Sequence, residues 1–171
     1  MLSITNVSVG QASNYYHEGK DNYYLKSEGQ WFGKGASELG LSGTVEKEDF
    51  ERVLHGQSPQ GEELIRDGAN GTHRAGIDMT FSAPKSVSIL YGLGDEKTRA
   101  EIMSAHEQAV KATMQYVETN FAQARVKENG VTDRVTTGNL VVAMFHHTVS
   151  RELDPQMHTH CVVMNMTQRG P

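Results

Sequence analysis

The chain has 171 residues, 37% hydrophobic and 22% charged, with a net charge of −5. That length suits one domain over 1–171, with a core able to stand without disulfides or a structural metal, and the apolar content excludes a mainly disordered chain. No apolar run approaches a membrane span, Met1–Thr5 forms no secretory leader, and the lone Cys161 fits a reducing cytoplasm. The expectation is a soluble, cytoplasmic α+β protein without membrane insertion.

In chain order, Leu2–Val9 alternates apolar and polar residues and predicts a short strand. A helix is expected over Gly10–Glu18, ending at Gly19. Gly29–Gly43 holds five glycines around Trp31-Phe32 and reads as loop with at most one helical turn. Glu46–Leu54 predicts a short amphipathic helix with Phe50, Val53 and Leu54 inward. The polar stretch 55–74 reads as a surface excursion interrupted by Leu64-Ile65. Strict alternation over Gly76–Ser82 predicts a strand with Ile77, Met79 and Phe81 on one face and Asp78, Thr80 and Ser82 on the other. Pro84 suits the first turn of a following helix. Asp95 is placed to cap a longer helix towards Phe121, with Ile102, Ala105, Ala109, Thr113, Tyr116 and Phe121 at helical spacing. Two closing strands are expected near Thr137–Ser150 and His158–Thr167.

Lysine plus arginine against acids runs 5 to 8 over 1–60, 6 to 9 over 61–120 and 5 to 4 over 121–171. No stretch is strongly basic, which argues against a non-specific coating of nucleic acid but leaves a local positive groove open.

Four of the eight histidines, His146, His147, His158 and His160, fall within fifteen residues. Residues two apart on a strand share a face, so His158 and His160 present two imidazoles to one side, while Cys161 points to the other as a core thiol. If the two closing strands pair antiparallel, matching 147 with 158 and 145 with 160 keeps the constant index sum that such a register requires. One histidine of the 146/147 pair then joins His158 and His160, and three imidazoles can hold a divalent cation with coordination positions open. His106 reads as a packed or rim residue on its helix.

Tyr15-Tyr16 and Tyr23-Tyr24 place four of six tyrosines in ten residues. Packing is the plain explanation; a stacking platform for single-stranded bases and nucleophilic attack on a phosphodiester are the chemical ones. A phenol with an ordinary pKa of about 10 needs help near neutral pH, and a cation holding the phosphate supplies it. The two clusters together point to metal-assisted phosphoryl transfer.

The strings Asp78-Met79-Thr80-Phe81-Ser82-Ala83-Pro84-Lys85-Ser86-Val87-Ser88 and Ser150-Arg151-Glu152-Leu153-Asp154-Pro155-Gln156-Met157-His158-Thr159-His160, with the early tyrosine doublets, closely resemble the MobF branch of conjugative relaxases in the HUH endonuclease superfamily. Thr137–Val141, Gly33–Ala36 and Leu41–Gly43 resemble it too, so the likeness runs the length of the chain. It implies an α+β, palm-like relaxase fold: a central antiparallel β-sheet with helices packed on one face and the active site on the other. Family domains continue beyond the H-x-H strand, whereas this chain stops at Pro171, so the resemblance implies a C-terminally truncated domain.

The resemblance further implies site- and strand-specific nicking of plasmid DNA at an origin of transfer, through a 5′-phosphotyrosine intermediate, followed by strand transfer. It assigns His147, His158 and His160 as metal ligands, with Mg²⁺ or Mn²⁺ the expected ion and other transition ions open to a three-imidazole site. Tyr15 becomes the first nucleophile, Tyr16 its fallback, Tyr23 the second nucleophile and Tyr24 its neighbour. Asp78 pairs with a ligand imidazole or helps accept the phenol proton. Arg74, Lys85, Arg125, Arg134 and Arg151 are candidate phosphate contacts. The implied partners are single-stranded DNA at the transfer origin, accessory relaxosome proteins and a coupling protein, and the implied location is the bacterial cytoplasm, with export alongside the DNA. Two other readings stand beside this one: a non-catalytic single-stranded-DNA-binding fragment, and a generic three-histidine metallohydrolase that leaves the tyrosines unexplained.

Overall fold

The structure is a computed structural model that describes residues 1–8, 28–65, 74–150 and 152–169. Its centre is a five-stranded sheet of β1 (Leu2–Ser8), β2 (Gln30–Phe32), β3 (Arg74–Ser82), β6 (Val142–Val149) and β7 (Pro155–Met164). The spatial order is β1-β3-β7-β6-β2, and every neighbouring pair is antiparallel. A separate two-stranded ribbon joins β4 (Gln123–Glu128) to β5 (Val131–Thr136). The helices are α1 (Lys34–Glu38), α2 (Lys47–Leu54), α3 (Lys85–Leu93) and α4 (Glu96–Phe121). Among the described residues no helix is long and apolar enough to cross a membrane.

Alternation along the strands divides the core in two. On one face Val142, Met144 and Cys161 pack with Val110 and Met114 of α4. On the other, Ala143, Phe145 and Val162 pack with Phe50, Val53 and Leu54 of α2. The Phe145 ring meets Phe50 edge to face, with centroids 5.4 Å apart, a geometry worth about 0.5–1.5 kcal/mol beyond area burial. Cys161 is fully buried and burial pushes its thiol well above the ordinary range.

The strands at the start and end of the chain and the α2 helix form where alternation and spacing predict them. Asp95 caps α4 by accepting a hydrogen bond from the Thr98 amide at 2.8 Å. Four expectations shift. Pro84 takes the extended N-cap conformation just before α3 rather than a place in its first turn. Tyr116 and Phe121 are 61% and 62% exposed; the buried stripe of α4 runs instead through Val110, Met114 and Glu118. The glycine-rich stretch keeps its one short helical turn as α1 but adds the strand β2, and the ribbon stands where the sequence predicts no element. The helix expected over 10–18 lies outside the described residues.

Glu118 explains how a glycine-rich segment folds. Its carboxylate is 1% exposed, and Oε1 accepts the Lys34 amide at 2.7 Å and the Leu140 amide at 2.9 Å. One buried charge thereby pins α4, the start of α1 and the approach to β6 together. Gly33, at φ 102, passes so close that a Cβ there would strike the Leu140 carbonyl. Glu118→Ala leaves both amides without that acceptor, and each charge-assisted bond contributes about 1.5–3 kcal/mol. Urea unfolding should show a loss of about 3 kcal/mol, with Glu118→Gln, which keeps an acceptor oxygen, losing less.

Behind the sheet, on the α4 side, Thr159 Oγ1 lies 2.7 Å from His146 Nδ1 and 2.9 Å from His106 Nε2. Burial draws both imidazoles below the ordinary 6.5, and for His106 the neighbouring His146 adds to the effect. The unfolded chain therefore binds protons that the folded chain refuses once the pH falls below about 6.5. Their stability contribution is complete above that pH and is lost as the pH drops through the folded values. In chelator-treated protein the urea midpoint should fall between about pH 7.5 and about pH 5.5, and His106→Phe should flatten the slope.

Candidate metal centre

Register builds the site. Val142 pairs with Val163, Phe145 with His160 and His147 with His158, the pairing that the histidine spacing predicts. β3 then lies along the other side of β7, with Ser82 opposite His158 and Thr80 opposite His160. Because alternate residues share a face, His147, His158 and His160 project together from the side opposite α4, continuing the row that Ala143 and Phe145 begin.

The three rings converge. Their centroids lie 5.2, 5.4 and 5.1 Å apart at steep interplanar angles, and one ligating nitrogen from each falls within 4.8 Å of the others. Among the described residues this is the one group of three or more histidine, cysteine, aspartate or glutamate side chains close enough to share an ion. His146 sits on the other face, bonded to Thr159.

Hydrogen bonds fix which nitrogen faces the centre. His158 Nδ1 lies 2.8 Å from the Gln156 carbonyl; a carbonyl only accepts, so Nδ1 carries the proton and Nε2 the lone pair. His160 Nδ1 lies 2.7 Å from Asp78 Oδ2, which orients that ring in the same sense. Thr80 Oγ1 stands 3.3 Å from Asp78 Oδ1 and 3.1 Å from His160 Nδ1, so its hydroxyl can steady the carboxylate. Burial lowers the pKa of His158, against the opposing bond to Gln156, with His160 nearby lowering it further. A ring held neutral near pH 7 is in the form that coordinates a cation. Three imidazoles with oriented lone pairs and a carboxylate behind one of them fit a divalent ion with open coordination positions.

α3 locks this end of β7. Ser88, 1% exposed, accepts the Met157 amide at 3.0 Å, and the Ala83 amide bonds the Met157 carbonyl. Ser88, Thr80 and Thr159 are not marked in the sequence as site residues; Thr80 shares the polar strand face of Asp78, which is a usable signal.

The other expected residues scatter. Lys85 Nζ donates to the Pro155 carbonyl at 2.9 Å, near the β6–β7 turn. Arg74 begins β3, at the far end from Ser82. Arg125 and Arg134 are cross-strand partners in the ribbon. Tyr15, Tyr16, Tyr23, Tyr24 and Arg151 lie outside the described residues.

The TrwC relaxase family model matches residues 9–171. The chain is 50% identical over 175 residues to the multifunctional conjugation protein TraI of Escherichia coli (strain K12), covering 99% of this chain and 10% of that protein. A structure of the conjugative relaxase TrwC in complex with oriT DNA, metal-free, superposes with a TM-score of 0.80 at 43% identity, covering 99% of this chain and 58% of that one. The metal-bound complex gives 0.81 at 45% identity with the same coverage. The chain thus spans about a tenth of its curated relative and somewhat over half of the solved relaxases. With the family model matched over residues 9–171 and a solved relaxase superposing over nearly its whole length, the chain belongs to the TrwC relaxase family.

Proposed function

We propose that this chain nicks one strand of DNA at a transfer origin by tyrosine transesterification and later rejoins strands by the reverse step. The observation that carries the reading is the convergence of His147, His158 and His160, with Asp78 bonded behind His160. The solved relatives are complexes with oriT DNA, one of them metal-bound, which supports assigning the same substrate class here.

His147, His158 and His160 would hold a divalent ion through one nitrogen each, and the donor set suits Mn²⁺ and later first-row ions better than Mg²⁺. Bound there, the ion supplies charge neutralisation at a non-bridging phosphate oxygen. Asp78 keeps His160 in the tautomer whose Nε2 bears the lone pair, and the Gln156 carbonyl does the same for His158. Tyr15, with Tyr16 beside it, is the proposed first nucleophile. Its phenol gives up its proton as the oxygen attacks phosphorus, the phosphorus–O3′ bond breaks, and the departing 3′ oxygen takes up one proton, so that none is gained or lost overall. The new phosphotyrosine ester conserves the phosphodiester's free energy for resealing, in which a 3′ hydroxyl attacks phosphorus and the tyrosine oxygen leaves; Tyr23, flanked by Tyr24, is the proposed second nucleophile for strand transfer.

The ribbon supplies a separate reason to expect a polyanion. Arg125 and Arg134 stand directly opposite one another, and like charges so placed destabilise a bare strand pair. The turn joining the strands holds Asn129 and Gly130 at φ 50 and 82, the conformation of a tight hairpin. Arg125, Arg134, Lys85, Arg74 and Arg151 are the proposed phosphate contacts.

Incubation with a labelled single-stranded oligonucleotide from a transfer origin and Mn²⁺ should give a covalent protein–DNA adduct. Tyr15→Phe should abolish or strongly reduce it. His160→Ala should lower metal affinity and cleavage together by about 10-fold or more, and Asp78→Asn should slow nicking about 10- to 100-fold with DNA binding retained. Binding without any adduct would instead mark a non-catalytic DNA-binding fragment, and multiple-turnover hydrolysis without an adduct a metallohydrolase. Arg125→Gln should weaken DNA binding and reduce the salt dependence by about one counterion.

A further inference from the structure

Thr159 lies between the two histidines of the H-x-H strand and faces away from them. It is 0% exposed, among Met144, Cys161 and other core residues of the α4 side. A valine would fill that space with no polar atom to satisfy. The hydroxyl is present all the same, and two rings reach it: His146 Nδ1 at 2.7 Å from β6 and His106 Nε2 at 2.9 Å from α4.

We propose that Thr159 is a positioning residue for the metal centre, gripped from behind by His146 and His106 so that β7 presents His158 and His160 at the spacing a cation requires. The inference rests on the reading of the histidine trio as a metal site. Thr159 and His146 are cross-strand partners, as are His158 and His147 one residue further along. A roll of β7 about its own axis would swing Thr159 one way and both flanking imidazoles the other, because side chains alternate about the strand. The bond to His146 ties that roll to β6, which carries His147, and the bond to His106 ties it to the long helix. A hydroxyl offers one proton and two lone pairs, and a neutral imidazole one donor and one acceptor nitrogen. Thr159 can therefore donate to one ring while accepting from the other.

The test uses the whole chain, with Mn²⁺ affinity from calorimetry and the visible absorption of bound Co²⁺ as a report of ligand geometry. Wild type should bind either ion. Thr159→Val should weaken Mn²⁺ binding about 10-fold or more and alter the Co²⁺ band, whereas Thr159→Ser, which restores the hydroxyl, should return both towards wild type. A merely structural threonine would lower the chelator-treated melting temperature and leave the Co²⁺ band unchanged. Binding by Thr159→Val within about 2-fold of wild type, with an unaltered band, would overturn the inference and leave the metal site standing. Failure of the wild type to bind either ion would instead remove the reading beneath it. Should Thr159→Val not fold, His106→Phe decides the matter: a shifted Co²⁺ band supports the clamp, and a wild-type band refutes it.

Discussion

Because the side-chain period of a strand is two, the register of β6 against β7 determines what each face of this sheet contains. Pairing His147 with His158 and Phe145 with His160 gathers three imidazoles on one side and leaves Val142, Met144 and Cys161 to pack against α4 on the other. A slip of β7 by one residue would carry His158 and His160 among the apolar groups of α4 and turn Thr159 and Cys161 to the side where the imidazoles now converge. The hydrophobic effect therefore enforces the geometry of a polar site, and the site needs little stabilisation of its own. β3 holds the register from the other side, since Thr80 and Ser82 meet His160 and His158 along its length.

Much of this was legible in the sequence where a periodic pattern carried it. Alternation disclosed β1, β3 and the faces of β7, and the spacing of four histidines predicted their pairing. Asp95 announced the start of α4 because a side-chain acceptor at that position has a direct physical purpose. The misses share a cause. β2 and α1 are too short to display a period, and Glu118 stabilises them from 84 residues away. Tyr116 and Phe121 read as core because they are large and helically spaced, yet they meet each other at 5.7 Å on an exposed surface. The ribbon was signalled by Asn129-Gly130, a strong turn dipeptide, and by alternation in β4, where Ala124 and Val126 are half-buried between exposed Gln123, Arg125 and Lys127, but β5 is exposed throughout and carries no buried face. Among the site residues, spacing brings His158 and His160 together with one of His146 and His147, and the family resemblance names His147 and Asp78, whereas Ser88 and Thr159 acquire meaning only from partners on other elements.

The negative net charge is compatible with the basic ribbon. Surface charges farther apart than about 8 Å are largely screened at physiological ionic strength, so a ligand at Arg125 and Arg134 senses the ribbon more than the acids elsewhere. Charge counted over a whole chain describes solubility and long-range attraction; charge at one hairpin describes contact.

Cys161 brings a practical benefit. It is the single cysteine of the chain, wholly enclosed, with burial holding the thiol in its protonated, unreactive form. Maleimide and nitroxide reagents will therefore pass over it in the native protein. A cysteine introduced near the ribbon turn could then carry a fluorophore or spin label without deletion of the native one, giving a silent background for following that hairpin during association with an oligonucleotide.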